Sequence, residues 1–205
     1  MKNLLLTPTL SLAAAFSFGQ TVDFGVKAGL NLIEQYHDSP IYFRNSFIPS
    51  FNAGGIIDIG FKNFSIQPGL FFTIKGEADQ NKYNDINPGD GGSDLPSKSY
   101  LDYIELPVNF LYRTTAGPGV GIHFGGGPYF AYGVSETDVI DGQTSSSHTF
   151  GFKNPDAGLG VIFGLTLKNR ILIDAGYEFG LINIDEDGFI THNTAITLSG
   201  GYMFK

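Results

Sequence analysis

Histidine is the side chain in this sequence most suited to acid–base or metal chemistry, because imidazole both exchanges protons and ligates metal ions. The four histidines are His37, His123, His148 and His192. Only His123 lies in a segment with the alternating pattern of a β-strand, where we expect Glu105 or Asn109 on the neighbouring strand. No nucleophile motif surrounds it, and the absence of cysteine excludes thiol catalysis and Cys-ligated zinc. We therefore interpret His123 as a hydrogen-bonded histidine and predict no catalytic residue.

Charged side chains recur on one face of the alternating segments, the face that otherwise carries glycine and polar residues. This face holds Lys27, Asp58, Lys75, Glu105, Arg113, Asp156, Arg170, Asp174 and Glu178, together with His123. Both signs of charge are present, and an unpaired charge in a narrow interior is costly. The pattern predicts a paired polar network that fills the centre of the molecule. The alternative is an ion or small-solute path lined by these charges.

Two acidic segments superficially suggest calcium sites, but neither has the pattern that calcium loops need. They run from Asp85 to Asp94 and from Ile184 to Gly188, and neither follows the twelve-residue loop with its closing glutamate. We predict solvated loops with no metal and no cofactor, the alternative being weak divalent-cation bridging to surface polysaccharide. The formal net charge of −8 excludes the basic face that a nucleic-acid partner requires.

The elements that must position these residues are β-strands, because apolar side chains recur every second residue in eight successive segments from Thr21 onward. In the first segment Val22, Phe24, Val26, Ala28, Leu30 and Leu32 share one face. Phe71 interrupts the third segment, since it falls among the polar positions. The 28 glycines and 19 phenylalanines also favour many strands over a helical bundle. The chain length is that of one domain.

The connections between the predicted strands alternate between long and short. The long ones are 33–47, 76–99, 135–152 and 183–192, and the short ones are 62–63, 114–118 and 168–169. An up-and-down membrane barrel divides its ends in this way, with short periplasmic turns and longer external loops. An even number of strands then places both termini on the periplasmic side.

The first nineteen residues have the pattern of a secretory signal. Lys2 precedes a mostly apolar stretch, and small residues follow at Ser17 and Gly19. We predict a signal peptide over 1–19 and an outer-membrane barrel domain over 20–205. The alternative, a retained membrane anchor, would need an apolar stretch of about 20 residues.

The content of the two faces favours a membrane barrel over a soluble, lipocalin-like barrel, which alternates in the same way. Glycine crowds the polar face, at positions such as Gly25, Gly121 and Gly160, and this suits a narrow interior. The opposite face is almost free of charge for about ten residues in each strand, the length of a tilted transmembrane strand. That face is therefore predicted to meet lipid.

Aromatic residues on the apolar face gather at its two ends once the strands are threaded alternately up and down. Phe24, Phe61, Phe64, Tyr112, Tyr202 and Phe204 fall at the short-turn end, and Phe51, Phe72, Phe130, Tyr132 and Phe179 at the long-loop end. Aromatic girdles of this kind mark the two membrane interfaces of a barrel. General strand propensity of aromatic residues is the alternative explanation.

Several stretches together resemble the PorT-like outer-membrane β-barrel proteins, the "porin family" or OMP_b-brl type of Bacteroidetes-type bacteria. They are FSFGQ, FGVKAGLN, YIELPV, GGPYFAYGVS, DAGLGVIFGL, YEFGLINI and LSGGYMF. The resemblance covers the whole mature chain and implies that Tyr202 and Phe204 form the signal read by the barrel-insertion machinery. Lys205 follows the last aromatic residue, where many relatives stop.

The sequence thus predicts an all-β fold, an eight-stranded antiparallel up-and-down transmembrane β-barrel similar to OmpX- or OmpA-type barrels, in a Gram-negative outer membrane. The leading hypothesis for function is a non-catalytic structural or surface-interaction role through the external loops 76–99 and 135–152. A narrow pore for ions or small solutes, an outer-membrane enzyme and a soluble periplasmic ligand-binding barrel are the alternatives. Expected partners are membrane lipid, the insertion machinery and other envelope proteins or surface polysaccharide, with the chain as a monomer and no nucleic acid.

Overall fold

The computed structural model describes residues 21–37, 45–79, 97–140, 143–147, 154–184 and 190–204, and their regular structure is antiparallel β-sheet. The strands are β1 (Thr21–His37), β2 (Asn45–Ser46), β3 (Ile48–Phe61), β4 (Phe64–Asp79), β5 (Ser97–Gly117), β6 (Val120–Ile140), β7 (Gln143–Ser147), β8 (Asp156–Leu167), β9 (Ile171–Gly180) and β10 (Thr191–Phe204). None of the described residues belongs to a helix long and apolar enough to cross a membrane.

Eight of these strands close into a barrel. They follow the order β4–β3–β1–β10–β9–β8–β6–β5, and the pairing of β4 with β5 joins the two ends. The pairing of β1 with β10 brings the two ends of the barrel domain together, with Phe24 opposite Phe204. The predicted eight-stranded up-and-down barrel is confirmed. β2 and β7 are short additional strands that pair with β4 and β6 beyond the closed wall.

The apolar rows of the barrel strands point outward, as the alternation predicts. Leu30, Val161 and Leu198 are each more than 60% exposed, and the phenylalanine rows are exposed with them. At the short-turn end the aromatic rows continue from strand to strand, with the Phe64 and Tyr112 ring centroids 5.3 Å apart and those of Tyr112 and Phe124 5.5 Å apart. The wall therefore carries an apolar belt with an aromatic rim, the surface that a hydrocarbon core requires.

The strands are longer than the sequence pattern indicates. β1, β4, β5, β6 and β10 all extend into segments predicted as the long loops 33–47, 76–99, 135–152 and 183–192, and β7 lies entirely within 135–152. The predicted turn 114–118 is also shorter, because β5 continues to Gly117. Beyond the membrane a strand has no lipid-facing side, so the apolar alternation that identifies it disappears.

Two of the short turns match the prediction and have the backbone conformation that tight hairpins need. Lys62 lies at φ 53°, and Lys168 and Asn169 lie at φ 49° and 58°. In the second turn both central residues, Lys168 and Asn169, have positive φ, which gives a turn whose twist matches that of the flanking strands; in the first turn only Lys62 has it. The predicted signal peptide 1–19, most of the acidic loop residues, His148 and Lys205 lie outside the described residues.

The interior contains apolar clusters that the predicted polar lumen did not include. Towards the long-loop end, Leu101, Tyr103, Tyr129, Ala131 and Ile184 form one cluster, and Ile33, Ile48, Ala78 and Ala195 form another. A third cluster of Ile56, Leu172 and Met203 packs against Phe71. The inward Phe71 that interrupts the sequence pattern is thus part of the packed interior of the barrel.

Candidate functional site

A buried ion cluster centred on Lys75 occupies the long-loop half of the barrel interior. The Lys75 ammonium lies 2.8 Å from Glu105 Oε2, 3.4 Å from Glu178 Oε2 and 3.7 Å from Asp156 Oδ2. Lys75 is 1% exposed, and Glu105 and Asp156 are also buried. The Lys75 ammonium faces the Tyr129 ring at 3.8 Å from its centroid, a cation–π contact. One positive charge therefore holds three carboxylates together.

Neutral donors complete the surroundings of Asp156. The Tyr129 hydroxyl donates to Asp156 Oδ2 at 3.2 Å, and the Asn193 amide donates to the same oxygen at 3.0 Å. The Asn193 amide also lies 3.4 Å from the Tyr103 hydroxyl oxygen. These contacts join β10 to β5 and β8 across the lumen, so the cluster links β10 to strands with which it does not pair.

A second buried group lies deeper in the barrel, where Asp174 receives two partners. Lys27 Nζ lies 2.5 Å from Asp174 Oδ2, and His123 Nε2 lies 2.7 Å from Asp174 Oδ1. The other ring nitrogen of His123 lies 3.3 Å from the Thr166 hydroxyl. The expectation that His123 approaches Glu105 or Asn109 is wrong, because the ring turns towards β8 and β9 rather than towards β5.

A third group closes the short-turn end. Arg113 on β5 forms an ion pair with Asp58 on β3, and the Gln67 amide donates to Asp58 Oδ2 at 3.0 Å. Asp58 is 1% exposed, whereas Arg113 lies at the edge of a vestibule also lined by Asp23, Lys62 and Asn169. Each of the three groups thus pairs a lysine or an arginine with at least one carboxylate.

Arg170 does not belong to this interior network. It lies exposed in the turn between β8 and β9, and its guanidinium donates to the Tyr202 hydroxyl at 2.9 Å. The Tyr202 ring also contacts Phe204 edge-on, with ring centroids 5.6 Å apart. Arg170 therefore contacts the aromatic rim and does not pair in the lumen. The alternation of the sequence predicted an inward position, but Arg170 is the last residue of a tight turn, and turn residues do not follow the alternation of a strand.

Glycines provide the space that the buried ion pairs occupy. A Cβ at Gly164 would overlap both Asp174 Oδ1 and His123 Nε2, whereas a Cβ at Gly160, also on β8, would meet its nearest atom, Glu178 Cγ, at 3.5 Å. The inward glycines of β8 are therefore not equivalent, and only Gly164 is required by the ion pair.

Gly164→Ala is consequently expected to destabilise the barrel, and Gly160→Ala to leave its stability unchanged or slightly raised. The first forces the Asp174–His123 contact apart in a buried site, a loss of about 1–3 kcal/mol. The second removes backbone freedom from the unfolded chain without a clash. Urea unfolding from lipid vesicles, followed by gel mobility without boiling, measures both. Equal stability of the two variants would contradict this assignment of the glycines.

The neutral members of the network were not identified from the sequence. Tyr103, Tyr129, Asn193, Thr166 and Gln67 all lie at inward positions of the strand alternation. Their common signal is a polar or phenolic side chain on the glycine face. That signal is weak, because the same positions also hold apolar residues such as Leu111 and Leu172.

The interior of the barrel holds polar groups around a cavity. Between the Lys75 group and the Asp174 group lies an internal cavity whose lining includes Lys27, Thr73, Glu105, Asn109 and Thr197. Among the described residues no group of three or more His, Asp or Glu side chains has an arrangement that holds a metal ion. The charged groups pair across the lumen above and below this cavity, so they connect opposite walls of the barrel.

Comparisons with known proteins give a family and several similar folds. The crystal structure of Ail, the attachment invasion locus protein of Yersinia pestis, aligns at 15% identity over 89% of this chain and 98% of that chain, with a TM-score of 0.45. Neisserial surface protein A aligns at 14% identity over 91% and 99%, with a TM-score of 0.49. OprG from Pseudomonas aeruginosa aligns at 11% identity over 90% and 97%, with a TM-score of 0.47.

No curated protein matches this sequence significantly. A family model described as the outer membrane protein beta-barrel domain matches residues 17–186, which is most of the chain. This match agrees with the closed antiparallel barrel and its apolar belt. The chain therefore belongs to the outer-membrane β-barrel family and is a protein of the Gram-negative outer membrane.

Proposed function

We propose that this barrel is a non-catalytic surface-interaction protein that binds a partner protein. An extended segment of the partner pairs with the edge of β7 as an additional strand. The observation that carries the proposal is a sheet that continues beyond the belt and ends, as far as the described residues show, at β7. β4, β5, β6 and β7 pair side by side in this sheet, with Asp79 opposite Ser97, Ser97 opposite Ile140 and Glu136 opposite Ser147. Within the described residues no strand pairs with the outer side of β7.

The edge of β7 is suited to main-chain recognition. Residues 143–146 are exposed and polar, which keeps the edge soluble without covering its backbone groups. Ile140 and Gln143 pair across a two-residue connection, so they form the hydrogen-bonded type of pair. Because the two types alternate along an antiparallel ladder, the backbone groups of Thr144 and Ser146 point outward. A partner strand would bind to these groups.

The ion-paired interior favours this role over a narrow pore. Eight strands leave little lumen, and the Lys75, Asp174 and Asp58 groups bridge it at three levels. Nothing in the described site has the nucleophile and base arrangement of a hydrolytic enzyme. Stable open channels formed by the purified protein in a planar bilayer would favour the pore instead.

The test separates recognition of the β7 backbone from recognition of its side chains. Peptides selected from a displayed random library against the protein in lipid nanodiscs serve as the probe. The double variant Thr144→Pro/Ser146→Pro removes the two outward N–H donors, so we expect peptide affinity to fall at least tenfold. The matched control Thr144→Ala/Ser146→Ala keeps the donors and is expected to bind as the unaltered protein does.

Two results would overturn the proposal. The first is an equal loss of affinity in the alanine variant, which would indicate side-chain recognition of the kind that a surface polysaccharide would use. The second is bound peptide that leaves amide hydrogen exchange at β7 unchanged, because strand addition must protect those amides. Circular dichroism and unboiled-gel mobility of both variants establish that the barrel has folded.

Four further assignments belong to the same proposal. The chain is a PorT-like member of its family, and residues 1–19 are a signal peptide removed after Gly19, which leaves a barrel domain over 20–205. Tyr202 and Phe204 form the signal for the insertion machinery, supported by their exposed positions at the end of β10. The barrel acts as a monomer whose described polar network of Lys27, Asp58, Glu105, Arg113, His123, Asp156, Asp174 and Glu178 serves as a plug.

A further inference from the structure

The lipid-facing wall has a notch where β1, β3, β4 and β5 lie side by side. Phe24, Ile57, Leu70 and Leu106 form its exposed apolar sides, and Gly25, Gly55 and Gly69 form its floor. The notch has a volume of about 400 Å³. Sites for small ligands have volumes of roughly 300–1,000 Å³. The notch is therefore large enough to accept part of a lipid molecule.

The backbone around the notch explains why the surface is indented there. Pairing between β3 and β4 stops at Ile56 opposite Gly69 and resumes at Ile59 opposite Ile66. Pairing between β4 and β5 is interrupted after Pro68, on the other side of the same strand. Proline has no N–H to donate to a neighbouring strand, and glycine has no side chain to fill the surface. The outer surface of the wall therefore has a depression at this position.

The inner side of the wall at the notch is covered by an aromatic ring. A Cβ at Gly54 or at Gly69 would overlap the ring of Phe71, which places this ring directly against the wall behind the notch. Phe71 in turn packs against Ile56, Leu172 and Met203. The notch thus opens towards the bilayer and ends at a packed apolar interior rather than at the polar lumen.

We propose that the notch is a specific binding site for one acyl chain of a membrane lipid. It is continuous with the belt that already contacts lipid, and its lining is apolar on every side. Empty space in the hydrocarbon region loses dispersion contacts with its lining, and a chain that bends inward restores them. Ordinary belt positions offer a chain only one convex surface, whereas this site surrounds it with Phe24, Leu70 and Leu106.

A filled notch and a matched outward glycine provide the test. A Cβ at Gly55 would meet only the Gly25 carbonyl oxygen, at 3.8 Å, so Gly55→Leu extends into open space. Gly200 is also exposed, with its nearest atom, the Leu172 carbonyl oxygen, at 4.0 Å, but it lies on β10 away from the notch. Gly200→Leu therefore adds the same side chain to the same belt without filling the site.

The probe is dioleoylphosphatidylcholine added in equimolar amount to the full chain in detergent micelles, with bound lipid counted by native mass spectrometry. We expect one lipid on the unaltered protein and on Gly200→Leu, and at least tenfold lower occupancy on Gly55→Leu. Equal occupancy in all three would overturn the proposal, as would a dimer that Gly55→Leu abolishes, which would assign the notch to a second copy of the chain.

A second measurement uses the unaltered protein and does not depend on the folding of a variant. In deuterated detergent, nuclear Overhauser effects from the lipid methylenes are expected at the methyl groups of Ile57, Leu70 and Leu106. The methyl groups of Leu198 and Leu30, which are more exposed but lie outside the notch, serve as the reference. Equal effects at both sets of methyl groups would contradict a specific site.

Discussion

Lys75→Met is expected to lower the free energy of unfolding by about 3–5 kcal/mol, because it leaves buried carboxylates without their cation. Methionine has a similar length and is apolar, so the substitution removes the charge with little change of volume. Glu105 and Asp156 are buried and lie within 2.8 Å and 3.7 Å of the Lys75 ammonium. Unfolding in urea from lipid vesicles, followed by circular dichroism, measures the effect; the chain has no tryptophan for fluorescence.

The matched control is Lys98→Met, which removes the same side chain from an exposed position on the same sheet. Surface substitutions of this kind usually change stability by less than about 0.5 kcal/mol. The double variant Lys75→Met/Glu105→Gln should recover part of the loss, because the carboxylate nearest the missing ammonium is also neutralised. Equal unfolding midpoints for Lys75→Met and Lys98→Met would show that the ammonium does not compensate the cluster.

The barrel was predictable from sequence because a membrane imposes its pattern on every strand that crosses it. Hydrocarbon excludes charge from every second position of a strand, so the apolar positions, such as Val161 and Leu198, indicate which face meets lipid. The turns at Lys62 and Lys168 were also predictable from sequence, because a short polar connection between two alternating segments can form few conformations other than a tight turn. The apolar alternation and the short turns together determine the number of strands and which face of each strand points outward. The inward position of Lys27, Asp58 and Glu105 follows from the same two signals.

The pairing inside the barrel was not predictable in the same way. Alternation assigns His123 to the lumen, but its partner depends on the ring's rotamer and on the space left by Gly164, both of which are tertiary properties. Arg170 fits the alternation in the sequence, yet it lies in a turn, where the pleat of a strand no longer determines the direction of the side chain. β7 lies beyond the bilayer, where water on both faces removes the apolar period that would identify it as a strand.

The placement of the apolar face against lipid leads to a further expected result. Val161 is 61% exposed on β8, between the aromatic rim at Phe163 and the row at Leu159. Val161→Arg places a charge near the middle of the hydrocarbon, at a cost of about 2–4 kcal/mol in a transmembrane barrel. Val161→Leu adds bulk without charge, and its stability should remain close to that of the unaltered protein.

A third variant, Thr144→Arg, introduces the same guanidinium on exposed β7. Water solvates the charge there, so the unfolding midpoint should not change. Equal stability of Val161→Arg and Thr144→Arg in vesicles would show that the belt is not in contact with hydrocarbon. A guanidinium at an exposed strand position costs this much free energy only where lipid, and not water, surrounds it.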